Sequence, residues 1–149
     1  MVPSSNCLGS ANLLNIEILA KTFGKVAGVK VLDLGYNNLG NGIRNNIKIL
    51  AEGIKNMSGL EVLDLCGNDF SSENPENLKW MVNAIINNES ISTVYFYDID
   101  TPIDVFIDSM KPLKRKIKVK LLIREGNSYK NVNQFENLVK ISEFIQFIE

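Results

Sequence analysis

The chain contains no histidine among its 149 residues. This absence excludes Ser–His and Cys–His nucleophile pairs, histidine metal ligands and histidine acid–base catalysis. Only two cysteines occur, Cys7 and Cys66, and they are too distant in sequence to form a CxxC pair or to suggest a disulfide framework. A glycine-rich phosphate-binding motif is also lacking. We therefore expect a protein that is not an enzyme and that uses no cofactor and no metal.

The sequence has little net charge and no long apolar run. Its formal net charge of -1 provides no general attraction to nucleic acid or to anionic membranes. No apolar run approaches the ~20 residues that a membrane-spanning helix needs. The first residues lack the basic and apolar regions of a secretory signal. These features predict a cytoplasmic location, with delivery into a host cell left open.

What the sequence does contain is a pattern that recurs at a constant period. Apolar residues fall at positions 1, 4, 6 and 11 of the pattern, and an asparagine falls at position 9. The two copies are Val29, Leu32, Leu34, Asn37, Leu39 and Leu60, Leu63, Leu65, Asn68, Phe70. A third copy keeps positions 1, 4 and 6 as Ile91, Val94 and Phe96. The apolar residues between the copies recur at the spacing of one helix face, which predicts that strands and helices alternate.

The pattern also predicts the approximate bounds of each element. We expect strands over residues 30–34, 61–65 and 92–96, and helices over 13–26, 43–56 and 75–88. A short helix follows over 103–110, then a half-buried strand over 116–121 whose lysines alternate with apolar residues. Residues 126–131 are predicted to form a loop. An amphipathic helix is predicted from residue 132 or 133 to residue 148.

The motif resembles the leucine-rich repeat, in its ribonuclease-inhibitor-like subclass. The resemblance implies a single α/β domain over residues 1–149, built as a short solenoid, a right-handed β-α superhelix. Parallel strands would line its concave side and helices its convex side. A cap helix would occupy residues 1–28, the repeats 29–101, and a cap of strand plus helix 102–149. In this family the asparagine, here Asn37 and Asn68, buries its amide to satisfy backbone groups where the chain turns.

The resemblance implies non-catalytic protein–protein recognition through the exposed concave sheet, as in adaptors and bacterial effectors. If positions 4 and 6 of each strand point to the core, positions 3, 5 and 7 point outward. Cys66 is not expected to be a nucleophile, because only carboxylates are in reach. Asp33 and Asp64 lack the enclosed pocket that an acid–base pair needs. The predicted partner-binding residues are Val31, Asp33, Tyr36, Val62, Asp64, Cys66, Thr93, Tyr95 and Tyr97.

Three alternatives stay open at this point. The chain could be the recognition subunit of a larger enzyme assembly, such as a ubiquitin ligase. It could bind an anionic ligand, nucleic acid or lipid, through the basic residues of segment 111–120, although no aromatic residues lie among them for base stacking. Two copies could also associate through the apolar stripe of the C-terminal helix. The residues of the basic edge are Lys114, Arg115, Lys116, Lys118 and Lys120.

Overall fold

Strands and helices alternate along the chain from residue 13 to residue 125. The structure, a computed structural model, describes residues 7–70, 74–99, 103–125, 128–131 and 145–147. The helices are α1 (Leu13–Phe23), α2 (Arg44–Lys55), α3 (Pro75–Asn87) and α4 (Ile103–Met110). The strands are β1 (Val31–Asp33), β2 (Val62–Asp64), β3 (Thr93–Ile99), β4 (Ile117–Glu125), β5 (Ser128–Asn131) and β6 (Ile145–Phe147).

The first four strands form a parallel sheet in chain order. Leu32 pairs with Leu63, Leu63 with Val94, and Val94 with Val119. The period of the sequence pattern is therefore the register of the sheet from β1 to β3. We call residues 29–59 the first unit, residues 60–90 the second unit, and the chain from residue 91 to residue 125 the third unit.

The core lies between this sheet and the helices. Leucines at positions 4 and 6 of the first two units are at most 1% exposed, and Val94 and Phe96 of the third unit are at 0%. Phe96 contacts Phe70 on one side and Phe106 on the other, with edge-to-face rings 6.3 and 5.1 Å apart. One apolar core thus runs through all three units, which stabilises each unit only in the company of its neighbours.

Buried asparagines end the first two strands, as predicted. Asn37 is fully buried, and its amide donates to the Leu34 and Gly35 carbonyls at 3.0 Å each. Asn68 donates to the Leu34 and Leu65 carbonyls, and its Oδ1 accepts from the Asn37 N–H at 2.9 Å. Since a buried turn must satisfy its backbone groups, these amides let the chain leave the sheet after three paired residues.

The segment before β1 repeats the contacts of the units that follow it. The Gly9 N–H donates to the Asn37 carbonyl at 3.0 Å, and one period later the Gly40 N–H donates to the Asn68 carbonyl at 2.8 Å. Helix α1 packs beside α2 as α2 packs beside α3. Residues 7–26 therefore have the geometry of the helical half of a repeat unit. The prediction was only that a cap helix covers this end.

The C-terminal part of the prediction requires two corrections. Residues 128–131 were predicted as a loop but form β5, which pairs antiparallel with β4 from Leu122 to Glu125. Residues 145–147 were predicted as part of a helix but form β6, which pairs parallel with β4 from Ile117 to Val119. The apolar spacing of a short segment fits either element, and the free edge of β4 favours strands here. The rest of that predicted helix, residues 132–144 and residue 148, lies outside the described residues, as do residues 1–6 of the predicted N-terminal cap.

Candidate functional site

One face of the parallel sheet carries the side chains that the core does not use. On the other face the alternating residues Leu32, Leu63, Val94 and Val119 are at most 1% exposed. We call the first face the open face. It is formed by Val31, Asp33, Val62, Asp64, Thr93, Tyr95, Lys118 and Lys120.

The register arranges these side chains in two rows across the four strands. One row runs Val31, Val62, Thr93, Lys118, and the other runs Asp33, Asp64, Tyr95, Lys120. Neighbouring strands lie about 4.8 Å apart, so each row is a continuous surface. Both rows begin apolar or acidic at β1 and end basic at β4. The open face is therefore electrically polarised from one end to the other.

The two aspartates of the open face also have a structural role. Asp33 Oδ1 accepts from the Gly35 N–H at 2.8 Å, and Asp64 Oδ1 accepts from the Cys66 N–H at 2.8 Å. Both side chains are half-buried, and neither forms an ion pair among the described residues. Each carboxylate thus turns the backbone at the end of its strand and still presents negative charge to the open face.

Tyr36 lies at the rim of the open face and is 60% exposed. Its backbone has φ of 57°, and Gly67, which lies one period later, has φ of 62°. A Cβ on Gly67 would lie 2.4 Å from the Tyr36 ring, so the ring lies directly over this glycine. A tyrosine in the left-handed region is uncommon, and here it occupies a place that the second unit gives to glycine.

Two of the predicted partner-binding residues need separate comment. Cys66 was predicted to point outward, but it is 5% exposed, so that prediction is wrong. The strand has already ended at Asp64, and beyond that point the alternation of a strand no longer decides which way a side chain points. Tyr97 belongs to β3, but its side chain lies outside the described residues. Val31 is exposed as predicted, and Asp33, Val62, Asp64, Thr93 and Tyr95 are half-buried.

The lysines predicted as a basic edge are not on an edge. Lys118 and Lys120 lie on β4, which pairs with β3 on one side and with β5 and β6 on the other. Lys118 is exposed and Lys120 is half-buried. Lys114 and Lys116 are exposed and precede the strand. These lysines therefore form the basic end of the open face and the approach to it.

Arg115, predicted to be part of the same basic edge, instead points into the protein. Its guanidinium donates to the Ile85 and Asn88 carbonyls at 2.7 Å each and also to the Ile91 carbonyl. Partial burial lowers the pKa of Arg115 by desolvation, which nearby Glu89 opposes. The side chain thus satisfies the carbonyls at the C-terminal end of α3, where a cation also suits the helix dipole.

The sequence distinguishes Arg115 from its neighbours but does not reveal its carbonyl partners. In the second unit the Asn88 amide donates to the Ile54 and Met57 carbonyls at 2.8 and 3.0 Å. Asn88 thus satisfies carbonyls at the C-terminal end of α2, as Arg115 does at the end of α3. Position 115 is the one arginine in a segment that otherwise uses lysine. A planar guanidinium can reach several carbonyls at once, whereas a lysine ammonium is a single point charge.

A groove of about 1370 Å³ lies between α3 and α4, away from the open face. Trp80 and Ile86 form its apolar wall, and Asp108 and Lys114 lie at its border. Charges of both signs line it, and Glu76 and Lys79 pair with each other at 2.7 Å. Within the described residues, no group of three or more cysteines or acidic residues could hold a metal ion. The same residues include no helix long and apolar enough to cross a bilayer.

Comparison with known proteins gives one family match. Residues 59–81, which cover β2 and the first half of α3, match the family model of the Leucine Rich Repeat. No curated protein and no solved structure matches the chain. Leucine-rich repeats generally mediate protein–protein interaction and are typically non-catalytic. The chain therefore carries a leucine-rich repeat within an α/β fold whose four-stranded parallel sheet and helices are consistent with that family.

Proposed function

We propose that this chain is a non-catalytic recognition module that binds a protein partner through the open face. The observation that carries the proposal is the pair of side-chain rows. They bring valine, aspartate, tyrosine and lysine residues from four strands onto one continuous surface. A partner that meets both rows contacts an apolar strip, a carboxylate pair and a basic end at once, which favours one orientation of binding.

The proposal includes the architecture that would shape this surface. We infer a short solenoid of the ribonuclease-inhibitor-like type, with the open face on the concave side and the helices on the convex side. The presence of a full α-helix after each of the first two strands supports this subclass. Strands lie closer together than helices pack, about 4.8 against 8–10 Å, which curves such a stack toward its strands. The whole chain, residues 1–149, would act as one domain.

Two residues are proposed as the main sources of binding energy. Tyr36 is exposed at the rim, and Tyr95 lies half-buried in the middle of the second row. Tyrosine is enriched among interface residues that contribute most to affinity, because it offers a large rigid surface and a hydroxyl group. Asp33 and Asp64 beside them would select a partner that presents positive charge at the corresponding place.

The alternative of an anionic ligand bound by segment 111–120 is less well supported. Arg115, the residue best suited to grip a phosphate, is already engaged with the carbonyls of α3. Among the exposed lysines, Lys111 pairs with Asp108, Lys114 and Lys116 precede β4, and Lys118 lies on β4, which β3 separates from the strands that carry Asp64 and Asp33. A phosphate-rich ligand that extended across the face would meet repulsion from those carboxylates.

The test compares binding by two double variants of the full chain. Asp64→Asn plus Thr93→Lys changes the centre of the open face, and the asparagine keeps an oxygen that can accept from the Cys66 N–H. The control, Glu52→Lys plus Asn83→Ala, makes the same change in net charge at exposed positions on α2 and α3. Partners are first captured with the wild type and identified by mass spectrometry, and their affinities are then measured with purified components.

The proposal requires a large loss of affinity for the open-face variant and an unchanged affinity for the helix-side control. Circular dichroism and thermal unfolding must show that both variants are folded. If a purified partner binds both variants as it binds the wild type, its site lies elsewhere and the proposed function is wrong. If only the helix-side variant loses binding, the recognition site lies on the helix side, at the α2 and α3 positions that this variant changes.

A further inference from the structure

The open face carries opposite charges at its two ends. Asp33 and Asp64 lie on β1 and β2, and Lys118 and Lys120 lie on β4. The two residues that β3 places between them are a threonine and a tyrosine, which are uncharged. Since neighbouring strands lie about 4.8 Å apart, the midpoint of the aspartate pair is about 12 Å from the strand that carries the lysines. A partner that complements the face must therefore carry opposite charges about this far apart.

The acidic end of the open face is held in a fixed geometry. Asp33 and Asp64 are register partners on adjacent strands. One oxygen of each carboxylate accepts from a backbone N–H, that of Gly35 or Cys66, at 2.8 Å. The two half-buried carboxylates therefore stay side by side, where they repel each other. A cation that a partner placed over both would remove this repulsion, and neither side chain would have to be ordered first.

An apolar strip lies alongside the aspartates. Val31 is 52% exposed, and Val62 and Thr93 continue the same row as half-buried side chains. This row is two residues along the strands from the row of the aspartates, which is a distance of about 7 Å. An α-helix with its side chains is roughly 10–12 Å wide, so one helix can contact both rows at once.

The open face presents side chains to a partner and not backbone groups. β2 pairs with β1 and β3, and β3 pairs with β2 and β4, so the backbone groups of these strands are directed along the sheet. An extended segment that crossed the face would place its own N–H and carbonyl groups over valines without partners, which costs free energy. A helix satisfies its backbone groups internally. The face therefore favours a helical occupant over an extended one.

We propose that the partner binds the open face with an α-helix that lies across the strands. Its basic residues lie over Asp33 and Asp64, and its acidic residues lie over Lys118. This inference rests on the proposed function and specifies what occupies the same surface.

The geometry of a helix converts the separation of the charges into a sequence pattern. A helix rises about 1.5 Å per residue, so about 12 Å corresponds to about eight residues. Residues at i, at i+3 or i+4, and at i+7 or i+8 lie on one face of a helix. The partner helix thus carries arginine or lysine at i, an apolar residue at i+3 or i+4, and aspartate or glutamate at i+7 or i+8.

The test uses two synthetic alanine-based peptides of about 16 residues, long enough to form a helix. The patterned peptide carries arginines, leucines and glutamates at the proposed positions. The control peptide has the same composition, but each of its ends carries one arginine and one glutamate. Each peptide is titrated into the isotope-labelled full chain, and backbone amide shifts are followed by NMR.

The patterned peptide is expected to shift the amides of Gly35 and Cys66, which bond to the aspartates, and the amide of Lys118. The control peptide should bind roughly tenfold more weakly, because each of its ends meets like charge as well as opposite charge. A patterned peptide that causes no shifts at millimolar concentration would overturn the proposal. So would shifts confined to the groove between α3 and α4, or equal affinities for the two peptides.

A charge exchange tests the orientation of the helix. Lys118→Glu is expected to weaken binding of the patterned peptide roughly tenfold, since an attraction becomes a repulsion. A peptide with lysines in place of its glutamates should bind this variant more tightly than it binds the wild type. Lys21→Glu is the matched control, because it makes the same charge change at an exposed position beside the groove between α1 and α2. Equal losses in the two variants would show that only net charge matters and that the proposal is wrong.

The outcome also separates this inference from the proposed function. A captured protein partner could lose affinity for Asp64→Asn plus Thr93→Lys although the patterned peptide does not bind the wild type. The open face would then be the binding surface, and the helical occupant alone would be wrong. If the partner binds that double variant as it binds the wild type, the proposed function fails and this inference fails with it.

Discussion

The second and third units end their strands in different ways. In the second unit, β2 stops at Asp64, and Asn68 then supplies its amide to three carbonyls and its oxygen to two N–H groups. In the third unit the residue at the same place is Ile99, and β3 runs on to that residue. The comparison shows what the asparagine does. It replaces the neighbouring strand as hydrogen-bond partner and so allows the chain to turn.

The same two units also differ in what protects the end of the preceding helix. Asn88 donates to the carbonyls of Ile54, in the last turn of α2, and of Met57, just beyond it. Arg115 donates to the carbonyls of Ile85, in the last turn of α3, and of Asn88, just beyond it. Ile54 and Ile85 lie one period apart, so two chemically different side chains perform one task at equivalent places. The third unit lacks the asparagine, but the carbonyls at the end of α3 still need a hydrogen-bond donor, and Arg115 provides it.

The largest expected effect comes from removing Asn68. Asn68→Leu leaves the N–H groups of Asn37 and Leu39 and several carbonyls without partners in a buried turn. We expect the free energy of unfolding to fall by about 3–5 kcal/mol. Equilibrium denaturation measures this change. Asn45→Leu, at an exposed position on α2, is the control and should change stability little. An Asn68→Leu protein as stable as the control would show that the asparagine does not hold the turn.

The next effect concerns Arg115. Arg115→Leu is expected to lower the free energy of unfolding by about 2–3 kcal/mol, because buried carbonyls lose a charged donor. Arg115→Lys should recover only part of this loss, since an ammonium lacks the planar fork that reaches several carbonyls. Lys116→Leu, at the exposed neighbouring position, serves as the control. Amide hydrogen exchange should show the loosening at the C-terminal end of α3, and a uniform change along the chain would contradict this local role.

A smaller loss of stability is expected at Gly67, where the second unit has a glycine and the first unit has Tyr36. Gly67→Ala is expected to cost about 1–2 kcal/mol, through the strain of a left-handed alanine and through displacement of the Tyr36 ring. Gly59 also has positive φ, +82°, but an added Cβ there meets no atom within 4 Å. Gly59→Ala therefore measures the backbone strain alone. Thermal unfolding of both variants gives the contribution of the ring by difference, and equal losses would mean that the ring moves aside at no cost.

The smallest expected change in stability concerns the ion pair between Glu76 and Lys79 in the first turns of α3. The hydrogen bond from Lys79 lowers the pKa of Glu76 below its ordinary value. Because the pKa is lower in the folded protein, the stabilisation is present above the pKa of an unfolded glutamate. It is lost as the pH falls through the lowered pKa of the folded state. Glu76→Gln should therefore reduce stability slightly near neutral pH and not at all in strong acid. Unfolding curves at both pH values measure the difference, and an equal loss in acid would rule out the ionised pair as its cause.

The regular part of the fold could be predicted closely and the irregular part could not. The helices over Arg44–Lys55 and Pro75–Asn87 lie within one residue of their predicted bounds, because each has a buried apolar face at helical spacing. The burial of the Asn37 and Asn68 amides was predicted from the resemblance to the leucine-rich repeat, and the structure confirms it. By contrast, β5 and β6 were predicted as loop and helix. Their conformation depends on the unpaired edge of β4, which a local pattern does not contain.

The candidate site divides in the same manner. Strand alternation correctly placed Val31 outward and Leu32 inward. It failed at Cys66, since Asp64 had already turned the chain. The separate prediction of a basic edge failed at Arg115, whose carbonyl partners lie 24 to 30 residues away. The binding role of the open face stays a prediction.

By itself the sequence determined that this chain repeats, and with it the register of the sheet, the buried leucines and the amides that end the strands. Because the period is constant, each unit places the same kinds of side chain at the same positions and contacts its neighbours in the same way. Only the tertiary structure decided what happens where the rule stops. At β4 the edge is closed by strands that the sequence pattern did not predict, and at α3 an arginine takes the place of an asparagine. At α1 the apolar side chains of Leu14 and Ile18 are exposed among the described residues. The physical reason is that the structure at each end of the stack depends on which backbone groups and apolar surfaces the repeats leave unsatisfied. These groups and surfaces are defined only by the assembled units.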